Sequence, residues 1–97
     1  MNPLTVVAEI VAKPGREQEL RRRLLALVEP TRKEEGCLQY DLHADNASPG
    51  RFLFYENWTS EELLERHLAS PHLEDFTAVA GDLLGEPLRI LRMTRIA

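Results

Sequence analysis

The segment from Gly36 to Trp58 reads as one β-hairpin, and it constrains the fold more than any other part of the chain. Its arms are Cys37–His43 and Arg51–Trp58, and both carry the apolar and aromatic residues that favour strands. The residues between the arms include Asp, Asn, Ser, Pro and Gly, which favour turns. Because this loop is longer than a two-residue turn, turn type alone does not set the register of the hairpin.

The second arm of the hairpin holds four of the six aromatic residues of the chain. Side chains alternate between the two faces of a strand, so Phe52, Phe54, Glu56 and Trp58 share one face, and Leu53, Tyr55 and Asn57 share the other. Both sets are largely apolar, which predicts a central strand covered on both sides. A single acid, Glu56, lies among three aromatic residues.

The chain before the hairpin predicts a strand and then a helix. Residues 4–12 are apolar on both alternating faces and end at a Lys-Pro-Gly turn. Residues 16–35 carry an apolar stripe at helical spacing, formed by Leu20, Leu24, Leu27, Val28 and Thr31. Pro30 lacks a backbone donor and crowds the preceding turn, so we expect a kink at Pro30 or a helix that restarts there.

The chain after the hairpin predicts two consecutive helices and a final strand. Thr59 or Ser60 caps a helix that runs to about Ala69, and Ser70 followed by Pro71 begins the next helix. Residues 88–96 alternate and carry three arginines, as expected for an edge strand protected by charge.

The element order is therefore β-α-β-β-α-β, with the two helices of the second half counted as one interrupted unit. This is the ferredoxin-like α+β pattern, a four-stranded antiparallel sheet with its helices on one face. We expect residues 1–97 to form a single domain. The uncovered sheet face would carry Val7 and Val11, and a monomer rarely exposes such an apolar patch, so we expect a homodimer.

Charge and cysteine content limit the class of partner. The formal net charge is −4 and the only basic run is Arg21–Arg23, which argues against nucleic acid as a partner because phosphate binding needs a basic face. The single cysteine, Cys37, allows no internal disulfide, which fits a reducing compartment. Residues 1–4 lack the features of a signal peptide, and no apolar run is long enough to span a membrane. We therefore expect a cytoplasmic protein.

Three stretches of the sequence carry a resemblance to a known family. GCLQYDLH, DNASPGRFLFYENW and HLASPHLEDF resemble the antibiotic biosynthesis monooxygenase (ABM) family of dimeric α+β barrels, and the likeness covers nearly the whole chain. Within the family, the chain is most similar to small bacterial proteins described as quinol monooxygenases.

The resemblance implies a homodimer with an apolar pocket between the sheet and the helices of each subunit. It also implies a cofactor-independent monooxygenase that oxidises a quinol or phenolic substrate with molecular oxygen, with no metal and no flavin. The partners would be a small aromatic substrate and oxygen. Related branches of the family imply an alternative enzyme that modifies a small signalling metabolite, and a further alternative is a dimeric binding module for a small apolar ligand without catalysis.

Two other branches of the family match less well. The haem-degrading branch uses an Asn, a Trp and a His where this chain has Ala8, His67 and Thr77, so haem degradation is disfavoured. The polyketide-oxidising branch uses an Asn and a Trp on the strand before the second helical unit. Trp58 matches that Trp, but Phe54 stands at the Asn position.

Three residues are candidates for chemistry. His67 could accept a phenolic proton near neutral pH, or it could be a core histidine. Glu56 could be a general base whose pKa is raised by its aromatic surroundings, or it could pair with an arginine such as Arg51 or Arg92, or with a helix start. Trp58 could donate its indole N–H to a substrate oxygen, or it could be core. The remaining predicted pocket residues are Ala8, Phe54, Leu64 and Phe76, and no metal ligands are predicted because no ligand spacing is visible.

Overall fold

The structure, a computed structural model, describes residues 2–97, so Met1 at the start of the segment 1–4 lies outside the described residues. The strands are β1 (Leu4–Val11), β2 (Cys37–Ala44), β3 (Arg51–Trp58) and β4 (Arg89–Thr94). The helices are α1 (Glu17–Arg32), α2 (Glu61–Leu68) and α3 (Pro71–Leu83). The order matches the ferredoxin-like prediction.

The four strands form one antiparallel sheet in the order β2-β3-β1-β4. The hairpin prediction is confirmed, since β2 and β3 pair along their length and β3 is central. A register irregularity between Cys37 and Gln39 leaves Leu38 exposed at the start of β2. The final strand is shorter than predicted, but it is an edge strand because it pairs only with β1.

The hydrophobic core lies between one face of the sheet and the helices. On β3, the face that carries Phe52, Phe54, Glu56 and Trp58 is buried, and every second residue of β1 from Val6 joins it. From α1, the predicted stripe supplies Leu20, Leu24 and Leu27. The alternation of side chains along the strands and the 3.6-residue period of the helix therefore place the apolar face of the sheet against the apolar face of α1.

The prediction of a helix that restarts at Pro30 is wrong. Helix α1 runs through Pro30 and ends two residues later, at Arg32. Because Pro30 lies in the last turn, the backbone N–H that proline lacks removes only one helical hydrogen bond, and it does so near the helix end, where such bonds are weakest. The chain then passes through Glu34 to Gly36, which has a φ of +85° and starts the hairpin. A Cβ at Gly36 would lie 2.8 Å from Thr59 Oγ1 and 2.9 Å from Leu63 Cβ, so this position requires glycine for two reasons.

The two helices of the second half are separated by a break at Ala69 and Ser70. Ser60 is the N-cap of α2, where its hydroxyl accepts a hydrogen bond from the Leu63 N–H. Ser70 is the N-cap of α3 and Pro71 its first residue, as the sequence predicts. The Ser70 hydroxyl does not cap α3 through its side chain; it donates to the carbonyl of His67 at 2.6 Å.

The other face of the sheet has no helices over it and is only partly apolar. Tyr55 and Met93 are exposed on it, and Val7 is half-buried. A polar chain also crosses it: Thr5 Oγ1 donates to Asn57 Oδ1 at 2.6 Å, and Asn57 Nδ2 donates to Gln39 Oε1 at 2.8 Å. The homodimer stays a prediction. Among residues 2–97, none of the helices is both long and apolar enough to cross a membrane.

Candidate active site

A cavity of about 230 Å³ lies between the inner face of the sheet and the helices. Strands β1, β2, β3 and β4 and all three helices contribute to its walls. The lining is formed by Ala8, Ile10, Leu24, Leu27, Tyr40, Phe54, Glu56, His67, Leu68, Leu73, Phe76, Thr77, Leu88 and Ile90. Most of these side chains are apolar. Glu56 and His67 are the two groups in the lining that can exchange protons near neutral pH.

Glu56 lies in the centre of β3 and its side chain is only 4% exposed. Trp58 lies two positions further along β3 on the same face, and it donates its indole N–H to Glu56 Oε1 at 2.9 Å. The pairing of Glu56 with Arg51 or Arg92 is not observed, since Arg51 lies near Glu9 and Asp45 and Arg92 binds acids of α2.

Burial raises the pKa of the Glu56 carboxyl to about 7, because the apolar surroundings disfavour the charged form. The hydrogen bond from Trp58 acts in the opposite direction and lowers this pKa, while the nearby charge of Glu34 raises it. Glu56 therefore changes protonation near neutral pH, where a general acid or base is most effective.

His67 lies in the last turn of α2, and its side chain is 2% exposed. Its ring packs against Trp58 with ring centroids 4.7 Å apart and meets Tyr40 at 5.4 Å in an edge-on arrangement. Burial lowers the pKa of the imidazole, and a hydrogen bond to Glu34 raises it in part. The imidazole of His67 is therefore part of the cavity wall, and its neutral form is favoured.

Glu34 connects the end of α2 to the start of α3. Its Oε2 lies 2.8 Å from His67 Nδ1 and 2.8 Å from His72 Nε2. Because a carboxylate oxygen can only accept, the hydrogen bond places a proton on Nδ1 of His67. His67 Nε2 has no hydrogen-bond partner among residues 2–97 and is the nitrogen left to accept a proton from a ligand in the cavity.

Tyr40 forms part of the floor of the cavity on β2. Its ring stacks on Phe54 with centroids 4.4 Å apart, and burial raises the pKa of its hydroxyl, which keeps the phenol neutral. Nearby, burial raises the pKa of the Cys37 thiol to about 11, so little of the reactive thiolate forms at neutral pH.

The predicted site residues fall into two groups in the structure. Ala8, Phe54 and Phe76 line the cavity together with Glu56 and His67. Trp58 and Leu64 do not line it; both are fully buried, Trp58 behind Glu56 and Leu64 in the core.

Glu34 is the main residue that sequence reasoning missed. It lies in a charged stretch after α1, where one acid among several carries no distinguishing pattern. The signal for its partner His72 was present, because Ser70-Pro71 breaks the helix between the two histidines. In a continuous helix, residues five apart point about 140° away from each other, so a break is needed for both to reach one carboxylate.

Comparisons with known proteins agree with the resemblance seen in the sequence. The model of the family described as antibiotic biosynthesis monooxygenase matches residues 3–79. The probable quinol monooxygenase YgiN of Escherichia coli is 36% identical over 100 aligned residues, which cover 92% of this chain and 96% of YgiN. The Synechocystis protein sll1783 is 32% identical, and the match covers 92% of this chain but only 60% of that longer protein.

The fold is also shared with solved structures. The crystal structure of PA3566 from Pseudomonas aeruginosa superposes with a TM-score of 0.95 at 41% identity, covering 100% of this chain and 97% of that one. The family model covers most of the chain, and the fold of this similar protein matches it throughout. The protein belongs to the antibiotic biosynthesis monooxygenase family.

Proposed function

We propose that the protein is a cofactor-independent monooxygenase that oxidises a quinol or another phenolic aromatic compound with molecular oxygen. Membership of the family supports a monooxygenase-type function. The observation that carries the finer proposal is that a buried carboxyl group, Glu56, and a buried imidazole, His67, line one apolar cavity. A module that only bound apolar ligands would gain nothing from two desolvated titratable groups, which cost free energy to bury.

The size and lining of the cavity support a small aromatic substrate. An engineered protein cavity of about 150 Å³ binds benzene, so a volume of about 230 Å³ suits one ring or two fused rings. Stacked Tyr40 and Phe54 offer an aromatic wall to such a ring. The name of YgiN, a probable quinol monooxygenase, points to the same class of substrate.

The proposed reaction balances without an external reductant. A quinol and one O₂ give a hydroxylated quinone and one water. The substrate supplies all four electrons, one oxygen atom enters the product and the other leaves as water. Removing a phenolic proton makes the ring electron-rich enough to pass an electron to O₂, after which a C–O bond forms and the O–O bond breaks. The protein must accept the proton, exclude water and return a proton to the departing oxygen.

His67 is proposed as the acceptor of the phenolic proton. Glu34 holds the proton of His67 on Nδ1, so Nε2 is free to accept, and Glu34 then stabilises the imidazolium that forms. Glu34 is thus a positioning residue. Glu56, kept in place by the indole N–H of Trp58, is proposed to exchange a proton with the second oxygen of the substrate.

Steady-state oxygen uptake by three variants tests these roles. His67→Ala should lower the maximal rate by about 10² or more, because it removes the acceptor. Glu56→Gln keeps the shape and the bond from Trp58, and a smaller loss is expected. Trp58→Phe removes the indole N–H that holds Glu56 in place but retains most of the ring, so we expect it to act through Glu56 and to lower the maximal rate no more than Glu56→Gln does.

The pattern across the variants decides between the candidates. A loss confined to Glu56→Gln would reverse the roles of Glu56 and His67. Turnover equal to the parent in all three variants would contradict the proposed chemistry, and ligand binding without any turnover would favour the binding module.

A further inference from the structure

Glu34, His67 and His72 converge on one point just outside the cavity. One possible ligand atom from each lies within 4.8 Å of the other two. No spacing in the sequence predicted this cluster, because its members come from the stretch after α1, from α2 and from the start of α3. We propose that the three side chains form a binding site for a single first-row divalent transition-metal ion, and that occupation of this site switches off His67 as a proton acceptor.

The donor set is one that such ions prefer. Two imidazole nitrogens and one carboxylate oxygen suit Zn²⁺, Co²⁺, Ni²⁺ or Cu²⁺, whereas Mg²⁺ and Ca²⁺ favour oxygen ligands throughout. Glu34 Oε2 lies 2.8 Å from both ring nitrogens. Bonds of about 2.0–2.2 Å to a shared metal would place ligand atoms roughly 3–3.5 Å apart. Both distances from Glu34 Oε2 would lengthen by roughly 0.2–0.7 Å to admit an ion at such bond lengths, and the two ring nitrogens lie within 4.8 Å of each other.

The surroundings of the cluster provide both access and support. His67 is 2% exposed, but the side chains of Glu34 and His72 are 18% and 22% exposed, so an ion can enter from their side. The hydroxyl of Ser70 lies 3.2 Å from His72 Nε2 and donates to the carbonyl of His67, which ties the two histidines together across the helix break.

Occupation of the site would reverse the hydrogen-bonding role of His67 toward the cavity. In the hydrogen-bonded arrangement, Nδ1 carries the proton and Nε2 can accept one. A metal ion on Nδ1 displaces that proton to Nε2, and Nε2 becomes a donor instead of an acceptor. This consequence rests on the proposed function, whereas the binding site itself does not.

Binding is tested with Co²⁺ and Zn²⁺ on the full chain after dialysis against a chelator. Co²⁺ reports its ligands through visible d–d absorption, and Zn²⁺ is followed by its competition with Co²⁺ and by calorimetry. We expect one ion per chain. Glu34→Gln and His72→Asn should each weaken binding by about 10²-fold or more, since loss even of an outer-shell partner typically costs 10–100-fold. The matched control is His43→Asn, which removes an exposed histidine outside the cluster and should bind like the parent.

The outcomes separate the site from the activity. Absence of one-to-one binding, or binding that is unchanged in Glu34→Gln and His72→Asn, would overturn the proposal. Zn²⁺ that binds and inhibits oxygen uptake by the parent supports both the site and the switch. Binding with an activity that rises instead supports the site, overturns the switch and contradicts the cofactor-independent mechanism. Binding by a protein without any oxygen uptake leaves the site standing while the proposed function fails.

Discussion

At the scale of the residue, burial brings the protonation of Glu56 into the neutral pH range. An acid in the middle of a buried strand is held by one indole N–H and shares the cavity wall with His67, Tyr40 and apolar side chains. The sequence predicted both its aromatic surroundings and a raised pKa, because strand alternation places it between Phe54 and Trp58. It did not predict the partner, since an arginine and an indole on the same face are equally compatible with the pattern.

The raised pKa of Glu56 predicts a dependence of stability on pH. Its pKa is about 7 in the folded protein against a usual value of 4.5. Between these values the folded state holds a proton that the unfolded state has lost, so stability is full below about 4.5 and falls as pH rises through 7. The free energy of unfolding should therefore decline by up to roughly 3 kcal/mol over this window.

Urea denaturation of the parent and of Glu56→Gln, at equal protein concentration and at several pH values across that window, measures this contribution. The variant should gain relative to the parent as pH rises, and it should be the more stable of the two above pH 7. A constant difference between the two proteins at all pH values would show that Glu56 titrates normally.

At the scale of the element, local patterns predicted the strands and helices, and tertiary packing decided the exceptions. Alternation in β1 and β3 predicted which residues share a face, and the stripe of α1 predicted its buried face. A restart of the helix at Pro30 was wrongly predicted because the local rule does not say how close to a helix end the residue lies. The convergence of Glu34, His67 and His72 depends on how three separate elements are oriented, and no local pattern contains that information.

The start of the hairpin provides a prediction at this scale. Gly36→Ala combines a φ of +85° with a Cβ too close to Thr59 and Leu63, so we expect a loss of on the order of 2 kcal/mol or more in the free energy of unfolding. Gly81→Ala is the matched control. Gly81 lies within α3 with open space around an added Cβ, and alanine there should stabilise by about 0.5–1 kcal/mol. Equal effects at the two positions would contradict the account of Gly36.

At the scale of the whole molecule, the open face of the sheet is where a second copy is predicted to pack. The face mixes exposed Tyr55 and Met93 with the polar chain from Thr5 to Gln39, so it is less uniformly apolar than the alternation of β1 suggests. Polar groups that are already paired with each other can be covered by a partner at little cost.

Val7→Asp tests this face. A carboxylate buried without a partner between two sheets should weaken the dimer by several kcal/mol. Sedimentation should show a species of twice the 11.1 kDa chain mass for the parent and a shift toward the single chain for the variant. Ser48→Asp adds the same charge on the exposed hairpin loop and should leave the assembly unchanged. A parent that sediments only at 11.1 kDa would contradict the dimer, and an unaffected Val7→Asp dimer would place the interface elsewhere.

Oxygen uptake by the metal-free parent protein, supplied with a panel of one- and two-ring quinols, tests the proposed cofactor-independent oxidation. We expect uptake with at least one quinol in the presence of a chelator and without added flavin. With ¹⁸O₂, one labelled atom should appear in the hydroxylated quinone and the other in water. No uptake above the spontaneous rate with any member of the panel, or uptake that appears only after a metal or flavin is added, would contradict it.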